Sequence, residues 1–201
     1  MTFPATLALA TRNAHKLREL GRICADWPVA WLTVDNHDPA AFPDVEETGD
    51  TYLENALLKA RAVAAALGVP ALADDSGIEV DALGGAPGPR SARYAGEGAT
   101  DRQNLEALIA AMRGIPGGGR SARYRCLAVL AMPDGTERHA EGICEGTLVA
   151  KPTGERGFGY DPIFVPVGRD VTMATLTDQE KDRISHRGRA FRALAERLAE
   201  A

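Results

Sequence analysis

At 201 residues, 45% hydrophobic and 25% charged, the chain has the composition of one soluble globular domain able to bury its own core, which excludes disordered and fibrous classes. Its net charge of -5 and pI near 5.4 oppose a broad nucleic-acid footprint, because non-specific affinity comes from neutralising phosphates. Any polyanion must therefore be met locally, by a few placed cations.

Residues 6–10 read as a short buried strand, followed by Thr11, Arg12, Asn13, Ala14, His15 and Lys16 and then a helix with Leu17, Leu20 and Ile23 on one face. A helix N-terminus offers unpaired N–H groups and the positive end of a dipole, to which Asn13 adds an amide and Lys16 a charge. The same segment reads equally as an ordinary capped helix with a surface lysine. A Walker loop is excluded, since no lysine follows a glycine, and G-x-G-x-x-G is absent.

Residues 31–34 form a candidate second strand, and 35–48 an acidic, proline-containing connection carrying Glu46 and Glu47. Thr51 and Glu54 make a capping box that opens a long helix. Its stripe of Leu53, Leu57, Ala60, Ala64 and Leu67 faces a core, and Tyr52, Asn55 and Lys59 share another face, the one expected to meet a cleft.

A strand over 71–75 ends in Asp74 and Asp75, with a turn expected at Ser76-Gly77 and a short strand at 78–80. Hard divalent cations such as Mg2+ take one or two carboxylates plus substrate phosphates, so a sparse acidic pair is the right number of ligands. Alternation along a strand lets only one of Asp74 and Asp75 face a given cleft. A polar turn with solvated acids is the competing reading.

Further on, 84–89 is a loop, and Thr100 with Gln103 caps a helix running to Met112. Residues 124–132 and 138–149 form two strands around an Asp134-Gly135 turn. The loop 154–164 contains Phe158, Gly159, Tyr160 and Asp161, where a ring can stack on a base and a carboxylate can accept from it. A core aromatic beside turn residues fits the pattern as well. Thr177 and Glu180 cap a short helix bearing Lys181, and Ser185 starts a last helix with His186 and Arg187 at its head and Phe191, Leu194 and Leu198 as its stripe. The pentapeptide Arg-Ser-Ala-Arg-Tyr occurs at 90–94 and again at 120–124 with unrelated flanks, so it marks no repeat.

Of 23 basic residues 19 are Arg, which makes the four lysines, Lys16, Lys59, Lys151 and Lys181, worth following one by one. Apolar runs such as 62–67 are too short to span a bilayer, and no basic segment with an apolar core opens the sequence. Three cysteines without CxxC spacing fit neither a disulfide framework nor a zinc site. A cytoplasmic protein without membrane or nucleic-acid partners is the expectation.

Taken in order, these segments resemble the inosine triphosphate pyrophosphatase (Ham1) family from Leu7 to about Leu194. The matching stretches are residues 10–16, Glu46-Glu47-Thr48-Gly49, Glu54-Asn55-Ala56 with Lys59-Ala60, 73–77, 84–88 with 91–94, 157–164 and 185–188. The resemblance implies an α/β fold for residues 1–201, a single domain built on a long mixed β-sheet with flanking helices and two lobes around a central cleft, forming a homodimer. It implies hydrolysis of ITP, dITP and XTP to a monophosphate and pyrophosphate, with Mg2+ as cofactor.

Carried over residue by residue, it gives Asp75 as proton acceptor and metal ligand and Glu46 as the other acidic position near the metal. Thr11, Arg12, Asn13, Ala14, His15 and Lys16 would hold the triphosphate with Lys59, and Ser76 would touch substrate. Phe158, Gly159, Tyr160, Asp161, Lys181, His186 and Arg187 would form the nucleotide pocket. Lys151 receives no role. Arg12 departs from the glycine that many members have there, so this cation either points outward or adds a contact. The rival expectations are a related pyrophosphatase for pyrimidine or modified triphosphates and a nucleotide sensor without turnover.

Overall fold

The computed structural model describes residues 3–199. A six-stranded sheet runs in the order β2-β1-β3-β4-β5-β6, built from β1 (Thr6–Leu9), β2 (Ala30–Leu32), β3 (Ala71–Val80), β4 (Ser121–Ala131), β5 (Glu137–Leu148) and β6 (Phe164–Pro166). β1 pairs in parallel with both β2 and β3, in the registers Leu7 to Trp31 and Ala8 to Ala71, whereas β6 runs antiparallel to β5. The sheet is therefore mixed, as expected for chain segments that do not strictly alternate strand and helix.

Among the described residues five helices flank it: α1 (Ala14–Ile23), α2 (Tyr52–Leu67), α3 (Asp101–Ala111), α4 (Asp178–Ile184) and α5 (His186–Ala199). The expected capping boxes are all formed, with Thr51, Thr100 and Thr177 each accepting from the N–H three residues on and receiving Glu54, Gln103 and Glu180 in return. α2 ends at Gly68, whose φ of 65° is the left-handed stop that glycine takes without steric cost.

Two expectations need correction. The Ser76-Gly77 turn is absent, because β3 runs unbroken for ten residues through both acids. Phe164, read as the end of a loop, instead opens a sixth strand with Val165 and Pro166, and its approach to β5 is close enough that a Cβ on Gly146 would lie 2.5 Å from the Phe164 ring and from the Val165 carbonyl.

The chain folds into two compact units, residues 1–75, 126–142 and 187–201 in one and 76–125 and 143–186 in the other. The first holds two apolar clusters. One gathers Leu7, Leu20, Leu72, Leu130, Phe191 and Leu194, and the other is alanine-rich, packing Ala8, Ala56, Ala60, Ala64 and Ala73 around Phe42 and Val63. Small side chains there let α2 lie close to the sheet. The second unit has its own core of Ile78, Leu108, Met112, Tyr124, Phe164 and Met173.

Candidate functional site

In the first unit, Asn13 caps α1. Its side-chain oxygen accepts from the N–H of His15 at 2.9 Å and of Lys16 at 3.2 Å, while the N–H of Asn13 reaches the Thr11 hydroxyl. Two of the donors expected to await an anion are thus already engaged by Asn13. Ala14 opens the helix, and His15 is exposed with Nδ1 accepting from Arg18. The Arg12 side chain is exposed and adds contacts. It donates to the carbonyls of Phe42 at 2.5 Å and Pro39 at 3.1 Å, tying the 11–16 segment to the acidic connection.

Asp74 and Asp75 are both buried and face different partners. Asp74 accepts from Lys16 at 3.1 Å and from Arg187 at 3.1 Å, and Arg187 in turn reaches Glu19 at 2.5 Å. Burial alone would raise the Asp74 pKa, but Lys16, Arg187 and Lys59 outweigh it and hold the carboxyl far below the usual carboxylate range. Asp75 accepts from Asn55 at 3.4 Å and lies 3.7 Å from Lys59. Its burial raises the pKa, Lys59 and Lys16 pull it down, and Glu47 and Asp74 push it up again, leaving a net rise. Lys59 sits 2.6 Å from Glu47; burial lowers its pKa, yet Asp75, Glu47 and Asp74 carry it above the ordinary lysine value. An ion pair ordinarily lowers its acid, so the rise at Asp75 says that desolvation dominates there.

Glu47, then, is the acidic neighbour that the structure brings to Lys59 and Asp75. Glu46 is exposed, and its backbone carbonyl accepts from the Thr48 N–H. The signal for Glu47 is its position on a connection that doubles back to the i,i+4 face of α2 carrying Asn55 and Lys59.

Asn55, placed on the cleft-facing side of its helix but given no role, and Glu19, not singled out, are both buried in these contacts. Arg187, expected in the nucleotide pocket, belongs to this unit and is closed off among Asp74 and Glu19.

The second unit holds the remaining expected residues. Asp161 accepts from the Phe158 N–H at 2.9 Å, Lys181 at 2.5 Å and the Tyr124 hydroxyl at 3.3 Å. Gly157 makes that possible, since a Cβ there would fall 2.1 Å from Asp161 Oδ2 and 3.1 Å from Lys181 Nζ, at a φ of +73°. The Lys181 ammonium lies 5.0 Å from the centre of the half-buried Phe158 ring. Tyr160 is buried, with its hydroxyl on the Ser91 carbonyl at 2.7 Å, so Phe158 is the accessible ring of the two. The Gly159 N–H reaches Asp101, and His186 stacks on Tyr124 with centroids 4.5 Å apart. Ser76 follows Asp75 along β3 and is half-buried. Tyr124 was not foreseen; its inward place on β4 opposite the aromatic loop is its only signal.

A model of the Ham1 family matches residues 7–197. The chain belongs to the Ham1 family. Among its relatives are proteins named dITP/XTP pyrophosphatase from Streptomyces avermitilis, 54% identical over 94% of each chain, and from Shigella flexneri, 45% identical over 96% of this chain and 97% of the relative. The solved Ham1 protein of Coxiella burnetii superposes with a TM-score of 0.87 at 39% identity, covering 98% of this chain and all of that one. That of Staphylococcus aureus does so with 0.84 at 38% identity, covering 97% and 98%. Membership in the Ham1 family thus extends over sequence and fold alike.

Proposed function

We propose that the protein hydrolyses non-canonical purine nucleoside triphosphates (ITP, dITP and XTP) to the monophosphate and pyrophosphate, in the cytoplasm and as a homodimer. The observation that carries this reading is the meeting of Lys59, Glu47 and Asp75 within one unit that also holds Lys16. The names borne by the relatives support the substrate class.

The residues present suit a hard divalent cation. Asp75 and Glu47 are oxygen donors crowded about a buried ammonium. Two carboxylates, with phosphate oxygens and waters completing the shell, is the pattern of Mg2+. Asp75 and Glu47 would hold it, and once bound it would neutralise charge on the triphosphate.

Asp75 orients a water toward the α-phosphorus and takes its proton. The new P–O bond forms as the bond from the α-phosphorus to the α-β bridging oxygen breaks, and pyrophosphate leaves with that electron pair. Lys16, Lys59, the Thr11 hydroxyl, the Asn13 amide and the N–H groups of Arg12 and Ala14 meet the phosphate oxygens. Within the second unit Phe158 supplies an accessible ring, and Lys181 and His186 polar groups, of the kind that recognise a base with a 6-oxo group. Against adenine such donors would lose their acceptor, at about 1–3 kcal/mol for each buried group.

The deciding experiment follows pyrophosphate release from inosine, xanthosine, deoxyinosine, guanosine and adenosine triphosphates, and from a pyrimidine triphosphate, with Mg2+. Fast release from the first three is expected. Orthophosphate as sole product, a preference for the pyrimidine, or tight binding without turnover would each overturn the proposal.

A further inference from the structure

We propose that Asn55 is a positioning residue that locks the acid-bearing connection onto α2 and orients Asp75 for the divalent ion; the inference rests on the reading above. Asn55 is fully buried, yet its amide is wholly used. Its Oδ1 accepts from the Gly49 N–H at 2.8 Å, and its Nδ2 donates to the Gly49 carbonyl at 3.2 Å and to Asp75 Oδ2 at 3.4 Å. One side chain thus pairs with both polar groups of a peptide residue and touches the carboxylate as well.

Gly49 is required by that pairing. A Cβ there would lie 2.6 Å from the Glu54 Cβ and 2.8 Å from Asn55 Oδ1. The neighbouring amides of Asp50 and Thr51 are held separately by Glu54 Oε2, each at 2.9 Å. Residues 49–51 are therefore fixed to the first turns of α2, and two residues before Gly49 the chain delivers Glu47 to Lys59.

Asn55 and Lys59 are one helical turn apart and address the two oxygens of Asp75 from the same face, Asn55 at Oδ2 and Lys59 at Oδ1. A short amide at this place holds the two acidic contributions at a set separation. Lysine alone, with four rotatable bonds, would not.

The test uses Asn55→Ala and Gly49→Ala, which break the same contact from its two sides, with Val63→Ala on the core face of α2 as a folding control. In the metal-free protein, amide exchange at Gly49 should accelerate in Asn55→Ala, with the Glu54-held amides of Asp50 and Thr51 as internal reference. Calorimetry with Mn2+ and no nucleotide should show affinity weakened by about 10-fold or more in both clasp variants. The Mg2+ concentration for half-maximal turnover should rise in parallel, with KM for inosine triphosphate at saturating Mg2+ within about threefold of wild type.

Val63→Ala should alter stability without moving metal affinity. Unchanged Mn2+ affinity in folded Asn55→Ala, or an equal loss in Val63→Ala, would overturn the inference. A wild-type protein that binds Mn2+ but hydrolyses no triphosphate would sink the enzymatic reading alone, because the exchange and calorimetric measurements stand without turnover.

Discussion

Asp74 and Asp75 are consecutive on β3 and hold opposite electrostatic positions. Asp74 is over-compensated by Lys16 and Arg187, whereas Asp75 is more desolvated than compensated. Substitution to asparagine should therefore act in opposite directions. Asp74→Asn leaves Arg187 and Lys16 short of a buried counter-charge, a loss on the order of 3–5 kcal/mol and roughly 10 °C in unfolding midpoint. Asp75→Asn should raise the midpoint at pH 7 while abolishing turnover. Thermal unfolding of the two variants side by side checks this, and a fall in both would refute it.

The pH dependence of stability follows with its sign. The folded pKa of Asp74 lies below its unfolded value, so its contribution is fully present above the ordinary carboxylate range, near 3.9, and drains away as pH falls through and below it. Unfolding free energy measured from pH 6 to pH 3 should drop steeply in the wild type and more gently in Asp74→Asn. For Asp75 the folded pKa is the higher one, so its carboxylate form disfavours folding as pH rises.

Metal affinity should depend on that same rise. A proton held by Asp75 must leave before the oxygen can ligate a cation, so Mn2+ affinity should weaken as pH falls through the raised pKa and level off above it. Titrations in buffers of different ionisation enthalpy would report the released proton, and a flat profile from pH 4 to pH 8 would contradict the assignment.

Gly157→Ala should disrupt the Asp161 and Lys181 pair, both by the steric conflict at Asp161 and by the positive φ. Gly85, at φ +89° with open space around its missing Cβ, isolates the backbone cost, about 1 kcal/mol. Selectivity for inosine over adenosine triphosphate should fall in Gly157→Ala and hold in Gly85→Ala, read as the ratio of kcat/KM values.

Arg12→Gly should release the acidic connection from the phosphate-loop segment. Losing two hydrogen bonds from a charged donor costs about 1–3 kcal/mol, visible as a lower midpoint and faster proteolysis near Pro39. Arg12→Lys, with a single point donor, should restore only part of it.

All three thiols are buried, and burial pushes the Cys24 pKa up to about 12 and that of Cys126 well above its ordinary value. Native protein at pH 8 should resist thiol reagents for hours and react at all three positions after unfolding. Rapid native labelling at Cys24 would place that residue elsewhere.

Much of this was legible in advance because it is local. The capping boxes follow from residue types three apart, and the helical stripes from their period. Partners fixed by tertiary packing were not. Nothing in sequence spacing says that Arg187 will close on Glu19, 168 residues away, or that Glu47 rather than Glu46 will meet Lys59. The repeated Arg-Ser-Ala-Arg-Tyr states the limit plainly, since most of its first copy lies in a 3-10 turn at Gly88–Arg93 and most of its second in β4. Context, in the form of the cross-strand neighbours that β4 has on both sides, decides the conformation.

The lysines have a practical consequence. Lys16, Lys59 and Lys181 are each sequestered against an aspartate or glutamate, with side chains no more than 14% accessible, whereas Lys151 stands in the open. Amine-directed coupling to a dye, bead or sensor chip should find Lys151 first among them, giving an attachment point that leaves the three sequestered amines untouched.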